Sequence, residues 1–339
     1  MATASALVRS YQPHYLEGHH EALPLPARCP ILATRVTSPS LIVAQVMGQS
    51  ALLWDGHALH EGTLAGRMKT GAAKSRTNTL AVGDRVEVDV SDTGRWRIVG
   101  VGPRETRLER SAGGQGAHQR TQIIAANAQQ ALIVASLHDP PFRPGLVDRW
   151  SLLARRGGLT PLLALNKADL GTVEEANEAV AAACIPLEAI RVSAATGFGI
   201  DELRQHLIGA MTVLVGHSGV GKSSLLRHLV PEAVIVTAEV SAKSHKGRHT
   251  TSSSRLYVLP EGGYLIDTPG VRSVVLGDTH ASEVASVFRE IAEAPPCKFR
   301  ECTHRMEPGC TVLAGLQSGA VPPIVYQRYR KLLEEADVL

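Results

Sequence analysis

The chain has 339 residues, of which 44% are hydrophobic, 20% charged and 4% aromatic, with a formal net charge of +3. This composition is ordinary for a globular chain of about two or three domains, and it excludes disordered and fibrous proteins. The small charge does not by itself indicate a nucleic-acid partner, and the few aromatic residues argue against a base-stacking surface. No apolar stretch approaches a membrane span and the N-terminus does not resemble a signal peptide, so we expect a soluble cytoplasmic protein with no membrane partner. As a separate expectation, we take it to be a monomer.

The first third of the chain predicts a small β-barrel. Short β-like runs occupy Leu41 to Val46, Ser50 to Trp54, Val86 to Val90 and Arg95 to Val101. Strict alternation in the third run is typical of a half-buried strand, and the set fits an OB-fold. The segment before that run carries basic residues, which either meet RNA phosphates or form a solvated face: Arg67, Lys69, Lys74 and Arg76.

A phosphate-binding loop follows the apolar run Met211 to Val215 and precedes a segment of helical spacing, Ser223 to Leu229. Its glycines let backbone N–H groups point at phosphate oxygens beside a helix N-terminus. Lys222 is expected to reach the β and γ phosphates, and Ser223 to offer its hydroxyl to Mg²⁺. The alternative is a glycine turn before an ordinary helix. The nucleotide-binding residues predicted here are Gly216, His217, Ser218, Gly219, Val220, Gly221, Lys222, Ser223 and Ser224.

Guanine is the predicted base. The tetrad from Asn166 to Asp169 follows the buried run Pro161 to Leu165, at the carboxyl end of a strand, where ligands of open α/β sheets bind. Asp169 can accept hydrogen bonds from the guanine ring N–H and from its amine, whereas adenine would leave this carboxylate unpaired. The aliphatic stem of Lys167 can cover the base, and Asn166 can tie the tetrad to the phosphate-binding loop.

A second short segment supports guanine. Ser193 and Ala194 follow the β-like stretch Ala189 to Val192 and fit a loop whose backbone N–H meets the guanine carbonyl oxygen. An ATP-dependent kinase or ATPase is the alternative, and Asp169 and the lack of an acceptor-substrate motif oppose it.

The γ-phosphate needs a sensor, and the strand-like run Tyr264 to Ile266 leads into one. Asp267 is expected to hold Mg²⁺ through water, and the N–H of Gly270 can donate to the γ-phosphate. The next residue, Val271, cannot polarise water. Hydrolysis therefore needs another residue or a partner.

Residues 241–252 are polar and cationic, which predicts a first switch loop. Either Thr250 or Thr251 can close over Mg²⁺, and His249 can place the attacking water. The alternative is that His249 is a solvated loop residue. The order of the motifs is base loop, Ser-Ala loop, phosphate-binding loop, first switch and second switch, which is a circular permutation of the usual GTP-binding domain.

The C-terminal segment predicts a structural metal site. Cys297, Cys302, His304 and Cys310 provide four soft or borderline ligands, which suit a tetrahedral Zn²⁺ with no open position. Free thiols near a histidine are the alternative. Helical patterns cover Thr279 to Ala294 and Ile324 to Leu333; the stripe on the second is more often packed on its own domain than on a partner.

Several of these segments together resemble the ribosome small-subunit-dependent GTPase A family, also called RsgA or YjeQ. The resemblance lies in the permuted order and in five stretches: 216–224, 247–251, 264–270, 297–304 and 307–310. It implies an N-terminal OB-fold, a central α/β circularly permuted P-loop GTPase domain and a C-terminal, mainly helical zinc-binding domain. It also assigns the proposed catalytic histidine to His249 and supports the four zinc ligands.

The resemblance further implies a role in late maturation of the small (30S) ribosomal subunit, with contacts to its 16S rRNA and with GTP hydrolysis stimulated by the subunit. A nucleotide-regulated rRNA-binding module with incidental hydrolysis is the alternative. The expected division is a tail at 1–29, the barrel at 30–108, the GTPase domain at 115–278 and the zinc-binding domain with its terminal helix at 279–339.

Overall fold

The computed structural model describes residues 34–36, 41–66, 79–111, 121–230, 254–268, 276 and 279–337. Several features predicted from the sequence lie outside the described residues. They are the tail 1–29, the four basic residues between 67 and 76, the first switch loop with His249, Thr250 and Thr251, and Gly270.

The N-terminal strands form the predicted barrel. They are β1 (Thr34–Val36), β2 (Ile42–Met47), β3 (Ser50–Trp54), β4 (Leu59–Leu64), β5 (Val86–Val90) and β6 (Trp96–Val101). Their order is β1-β5-β6-β4-β3-β2. The barrel closes because the N–H of Val86 donates to Leu41 O at 3.1 Å and the N–H of Val43 to Asp84 O at 2.9 Å. Alternate apolar side chains fill the interior, as the OB-fold requires.

The central strands form a doubly covered sheet. They are β9 (Gln130–Ser136), β10 (Thr160–Asn166), β11 (Glu188–Arg191), β12 (Met211–Gly216), β13 (Arg255–Val258) and β14 (Tyr264–Asp267), in the order β13-β14-β12-β9-β10-β11. Only β13 is antiparallel to its neighbour in this part of the described chain. The hairpin of β7 (Arg107–Ser111) and β8 (Thr121–Ala126) is separate, and β2 meets β13 where Gln45 pairs with Arg255.

Helices cover both faces of this central sheet. Ile133 on β9 packs into one hydrophobic cluster with α1 (Pro144–Arg156), while Leu132 packs into another with α3 (Ile200–Leu207) and α4 (Lys222–Leu229). Successive strand residues point to opposite faces, so strands buried on both sides are continuous apolar runs. A further helix, α2 (Val173–Ala181), begins with a capping box formed by Thr172 and Glu175.

Four helices make up the C-terminal segment: α5 (Ala281–Ser286), α6 (Arg289–Ala292), α7 (Thr311–Ser318) and α8 (Pro323–Asp337). The prediction of one continuous helix over 279–294 is therefore wrong. The chain is extended at Phe288, with φ −93° and ψ 111°, and this break directs its fully buried ring edge-on against Tyr329, 6.1 Å away. The terminal helix is confirmed, and its stripe packs on its own chain, since Tyr329, Leu332 and Leu333 are buried.

No helix among the described residues is long and apolar enough to cross a membrane.

Candidate nucleotide site and metal centre

The central parallel strands bring the predicted nucleotide residues to one edge of the sheet. Asn166 at the end of β10 is in register with Ser136 at the end of β9. On the next strand, Gly216 pairs with Val134, and Asp267 at the end of β14 pairs with Leu214. The base tetrad, the phosphate-binding loop and the predicted magnesium ligand thus all leave the sheet at its carboxyl edge, where open α/β sheets bind ligands.

Asn166 joins three of the predicted loops. Its Nδ2 donates to the carbonyl oxygen of Val220 at 2.8 Å, and its Oδ1 accepts from the N–H of Ala194 at 3.0 Å. The side chain is 1% exposed, so both bonds are shielded from water. One buried amide thereby fixes the phosphate-binding loop and the Ser-Ala loop against the tetrad, because an unpaired buried amide would be costly.

This junction also explains one glycine of the phosphate-binding loop. Gly221 has φ +94°, and a Cβ atom at this position would lie 2.2 Å from Asn166 Nδ2. A larger residue would therefore strain the backbone and displace the asparagine. The same glycine precedes the first turn of α4.

The two residues assigned to the base face each other. Ser193 Oγ donates to Asp169 Oδ1 at 2.5 Å, and the serine is fully buried whereas the aspartate is exposed. This bond orients one carboxylate oxygen and leaves the exposed carboxylate open to further donors. In the Ser-Ala loop, where a backbone N–H is predicted to meet the guanine carbonyl, the N–H of Ala194 donates to Asn166.

Lys222 folds back over the phosphate-binding loop. Its Nζ donates to Gly216 O at 2.8 Å and to His217 O at 2.7 Å, so the ammonium lies within the curve of the loop. Of its neighbours, Ser218 and Gly219 are exposed, as is Ser223 in the first turn of α4, while Ser224 donates through its N–H to Gly221 O at 3.1 Å. The loop is arranged to present N–H groups and a cation to an anion.

Lys222 and Asp267 influence each other's titration. Burial raises the pKa of the Asp267 carboxyl, and the charge of Lys222 limits that rise. Burial also lowers the pKa of Lys222, opposed by the charge of Asp267. A cation and a carboxylate in this arrangement can bind a polyanion and its metal counter-ion. Each of the two charges reduces the cost of burying the other.

The segment from Leu137 to Pro140 contributes contacts that sequence reasoning missed. Lys167 Nζ donates to Asp139 O, and Pro140 Cδ lies 3.6 Å from where a Cβ of Gly219 would stand. Ser136 Oγ donates to Pro140 O at 2.6 Å. The position of this segment could have predicted its role, because it directly follows β9 and therefore leaves the sheet at the same edge as the other loops.

The four predicted metal ligands converge. The sulfur and nitrogen atoms of Cys297, Cys302, His304 and Cys310 all lie within 4.8 Å of one another. Individual separations are 3.9 Å between the sulfurs of Cys297 and Cys310, and 3.6 and 3.4 Å from His304 Nδ1 to those two sulfurs. This set can hold a metal ion.

The loop carrying these ligands is ordered by Glu307. Its carboxylate accepts from the N–H and hydroxyl of Thr303, at 2.7 and 2.5 Å, and from the N–H of Arg305 at 2.8 Å. Although burial opposes ionisation, these bonds lower the pKa of Glu307 to about 2. Tyr326 and Tyr329 on α8 donate to the carbonyl oxygens of His304 and Thr303, so α8 anchors the loop.

A permuted order of strands, with a phosphate-binding loop and the predicted base tetrad on the same edge of the sheet, defines the class of circularly permuted GTPases. Residues 101–277 match the family model described as RsgA GTPase. The chain belongs to the RsgA GTPase family.

Relatives in two Chlorobaculum species carry the name small ribosomal subunit biogenesis GTPase RsgA. The C. parvum protein is 39% identical over 77% of this chain and 86% of its own length, and the C. tepidum protein is 37% identical over 89% and 96%.

Two crystal structures resemble the fold. YjeQ from Thermotoga maritima has a TM-score of 0.67 at 26% identity and covers 87% of this chain and 97% of its own. YloQ, described as a circularly permuted GTPase, has a TM-score of 0.63 at 22% identity and covers 92% and 98%.

Proposed function

We propose that this protein hydrolyses GTP to GDP and phosphate during late maturation of the small ribosomal subunit, with hydrolysis stimulated by the subunit and coupled to release from it. The observation that carries the proposal is the buried Asn166, which holds the base tetrad, the Ser-Ala loop and the phosphate-binding loop together. Support for the subunit comes from the relatives, whose name states small-subunit biogenesis.

In this proposal the base lies against Asp169 and the phosphates against Lys222. The carboxylate of Asp169 accepts from the guanine N–H and amine while Ser193 keeps it oriented. The remaining contacts are backbone N–H groups of residues 216–224. Mg²⁺, held by Ser223 and through water by Asp267, would neutralise charge on the β and γ phosphates.

Catalysis is assigned to His249, with Thr250 or Thr251 closing the site and the N–H of Gly270 meeting the γ-phosphate. The support is chemical: Val271 follows Gly270 where a water-orienting side chain is needed, and the cationic loop 241–252 supplies an imidazole. Slow turnover by the isolated protein follows, because Val271 cannot polarise water and hydrolysis then needs another residue or a partner.

We assign the C-terminal cluster to one structural Zn²⁺. Tetrahedral zinc with Zn–S bonds of about 2.3 Å and Zn–N bonds of about 2.0 Å places its ligand atoms about 3.5 to 3.8 Å apart. The three separations of 3.4 to 3.9 Å among Cys297, His304 and Cys310 agree with that arrangement, and Cys302 Sγ lies within 4.8 Å of these ligand atoms. Thr311 Oγ1 lies 3.2 Å from Cys297 Sγ, and the N–H of Leu313 donates to Cys310 Sγ at 3.5 Å, so both sulfurs have a further hydrogen-bonding partner. Four protein ligands leave no open position, so this ion would have no catalytic role.

We also propose that the chain consists of a tail at 1–29, an RNA-binding barrel at 30–108, the GTPase domain at 115–278 and the zinc-binding domain at 279–339. We place the protein in the cytoplasm, because ribosomal subunits mature there, and we take it to be a monomer. GTP and GDP are its small ligands, and the 16S rRNA of the 30S subunit is its partner.

The decisive experiment is a GTPase assay with the full chain, alone and with purified small subunits, using large subunits and ATP as controls. Stimulation by small subunits only, and of GTP turnover only, supports the proposal. Absence of stimulation would favour an rRNA-binding module with incidental hydrolysis, and equal turnover of ATP and GTP would contradict the assignment of Asp169.

A further inference from the structure

A basic groove lies beside the phosphate-binding loop, between the beginning of α1 and residues 328–335 of α8. Its volume is about 540 Å³, and His217 of the phosphate-binding loop is part of its wall. Four cationic side chains line it against a single carboxylate: Arg143, Arg149, Arg328, Lys331 and Glu335. The groove is therefore net positive.

Two of the four cations form ion pairs within the chain, and these pairs hold α8 against α1. Arg149 Nε donates to Glu335 Oε2 at 2.9 Å, which links α1 to α8. Arg328 Nε lies 3.3 Å from Oδ2 of Asp148, a fully buried carboxylate. A Cβ on Gly145 would lie 2.5 Å from Arg328 Nη1, so this glycine lets the guanidinium cross the first turn of α1. Partly buried pairs of this kind specify how two elements fit together.

The other two cations are on the rim. Arg143 precedes α1 and Lys331 lies on α8, and both are exposed. Neither forms an ion pair with any residue that the structure describes. Two unpaired positive charges that face one groove from different elements attract an anionic chain.

The lining favours phosphate over a protein surface. None of its apolar residues is among the exposed large hydrophobic side chains of the described chain, and Leu332 is buried. Protein interfaces gain most of their affinity from buried apolar and aromatic anchors, whereas nucleic-acid backbones are bound chiefly through charge.

We propose that this groove receives the phosphate backbone of small-subunit RNA, with Arg143 and Lys331 as the phosphate contacts. The inference rests on the proposed function and adds a surface to it. RNA in the groove would lie against His217 of the phosphate-binding loop and against Phe142, which is two residues after Pro140 in the chain. The subunit would therefore contact the nucleotide loops directly as well as through the switches.

The test is a salt titration of small-subunit binding by the full chain. Arg143→Gln and Lys331→Gln, singly and together, remove the rim charge. Arg289→Gln, at an exposed arginine paired with its neighbour Glu290, removes a charge outside the groove as the control. Each lost phosphate contact reduces the slope of log affinity against log salt by about 0.7 to 0.9. The double variant should therefore have a slope smaller by about 1.5 and bind about tenfold more weakly near 0.2 M salt, while its basal GTP turnover stays at the wild-type value.

The outcomes separate this inference from the proposed function. A double variant with the slope and affinity of the Arg289→Gln control overturns the groove assignment and leaves the GTPase role intact. Failure of the wild-type protein to bind small subunits overturns both. Weaker binding to intact subunits with unchanged binding to protein-free 16S rRNA would indicate an acidic ribosomal protein instead, and would likewise overturn the RNA assignment.

Discussion

Asn166 Nδ2 lies 2.8 Å from the carbonyl oxygen of Val220, and this bond connects the base tetrad to the phosphate-binding loop across 54 positions of sequence. The same amide accepts the N–H of Ala194. The base tetrad, the Ser-Ala loop and the phosphate-binding loop are therefore joined at one residue although their order along the chain is permuted. The chain order of the motifs therefore matters less than the sheet edge at which their strands end.

Asn166→Ala should weaken GTP and GDP binding by about tenfold or more and lower the free energy of unfolding by about 1–3 kcal/mol, because a buried carbonyl group and a half-buried N–H group lose their partner. Isothermal titration and denaturant unfolding measure the two effects. Asn127→Ala is the matched control: that buried amide also joins two backbone segments, through Gly83 O at 3.0 Å and the N–H of Glu105 at 2.9 Å. It should lose stability and keep nucleotide affinity; equal loss of affinity in both variants would contradict a specific role for Asn166.

His249→Ala should reduce subunit-stimulated GTP turnover by about a hundredfold or more while GTP binding is retained, since a group that orients water acts on the chemical step. Single-turnover hydrolysis and nucleotide binding are the two measurements. His245→Ala, in the same loop, provides the control and should behave as wild type. Unchanged turnover in the His249 variant would remove this residue from the mechanism.

Cys310→Ser should abolish stoichiometric zinc and make the C-terminal helices sensitive to proteolysis, because a four-ligand structural site does not tolerate loss of a thiolate. Elemental analysis and limited proteolysis test this. Cys184→Ser, at a half-buried cysteine outside the cluster, should retain zinc and resistance. Full zinc content in the Cys310 variant would mean that the metal lies elsewhere.

Asp148 predicts a pH-dependent contribution to stability. Burial raises its pKa from 3.8 to about 6, against the N–H bonds of Ile185 and Cys184 and the charge of Arg328. The folded state therefore binds more protons than the unfolded state between these values, so the contribution is present below about pH 4 and is lost as pH rises through 6. The loss corresponds to about 3 kcal/mol at most.

Asp148→Asn removes that titration. Relative to the variant, the wild-type protein should lose unfolding free energy as the pH rises from about 4 to about 6, and the difference should be constant above that range. Denaturant unfolding at a series of pH values measures it. A difference independent of pH would show that this carboxyl titrates normally in the fold.

The central strands, the barrel and the terminal helix could be predicted because apolar periodicity and motif chemistry are local properties. The strands predicted from 211–215 and 264–266 differ from β12 and β14 by one residue. The Cys/His cluster could be predicted for the same reason, since its four candidate metal ligands lie within one short stretch of sequence.

The features missed depend on contacts between distant segments. Strand β4, from Leu59 to Leu64, contains His60 and Glu61, which weaken the apolar signal, and it is held by pairing with β3 and β6. The break at Phe288 follows from packing against Tyr329, which helical spacing alone does not show. Asp148 was overlooked because only the docking of α8 identifies it as a buried partner of Arg328.

The central claim is that one pocket holds guanine at Asp169 and the phosphates at Lys222, and a base-preference swap tests it most directly. In xanthine a carbonyl replaces the guanine amine, so Asp169→Asn can donate to that carbonyl while Oδ1 still accepts the ring N–H and the bond from Ser193. Competition binding should show GDP affinity lower by about a hundredfold or more and XDP affinity raised, with thermal stability unchanged. Wild-type preference for GDP over XDP in this variant would contradict the claim.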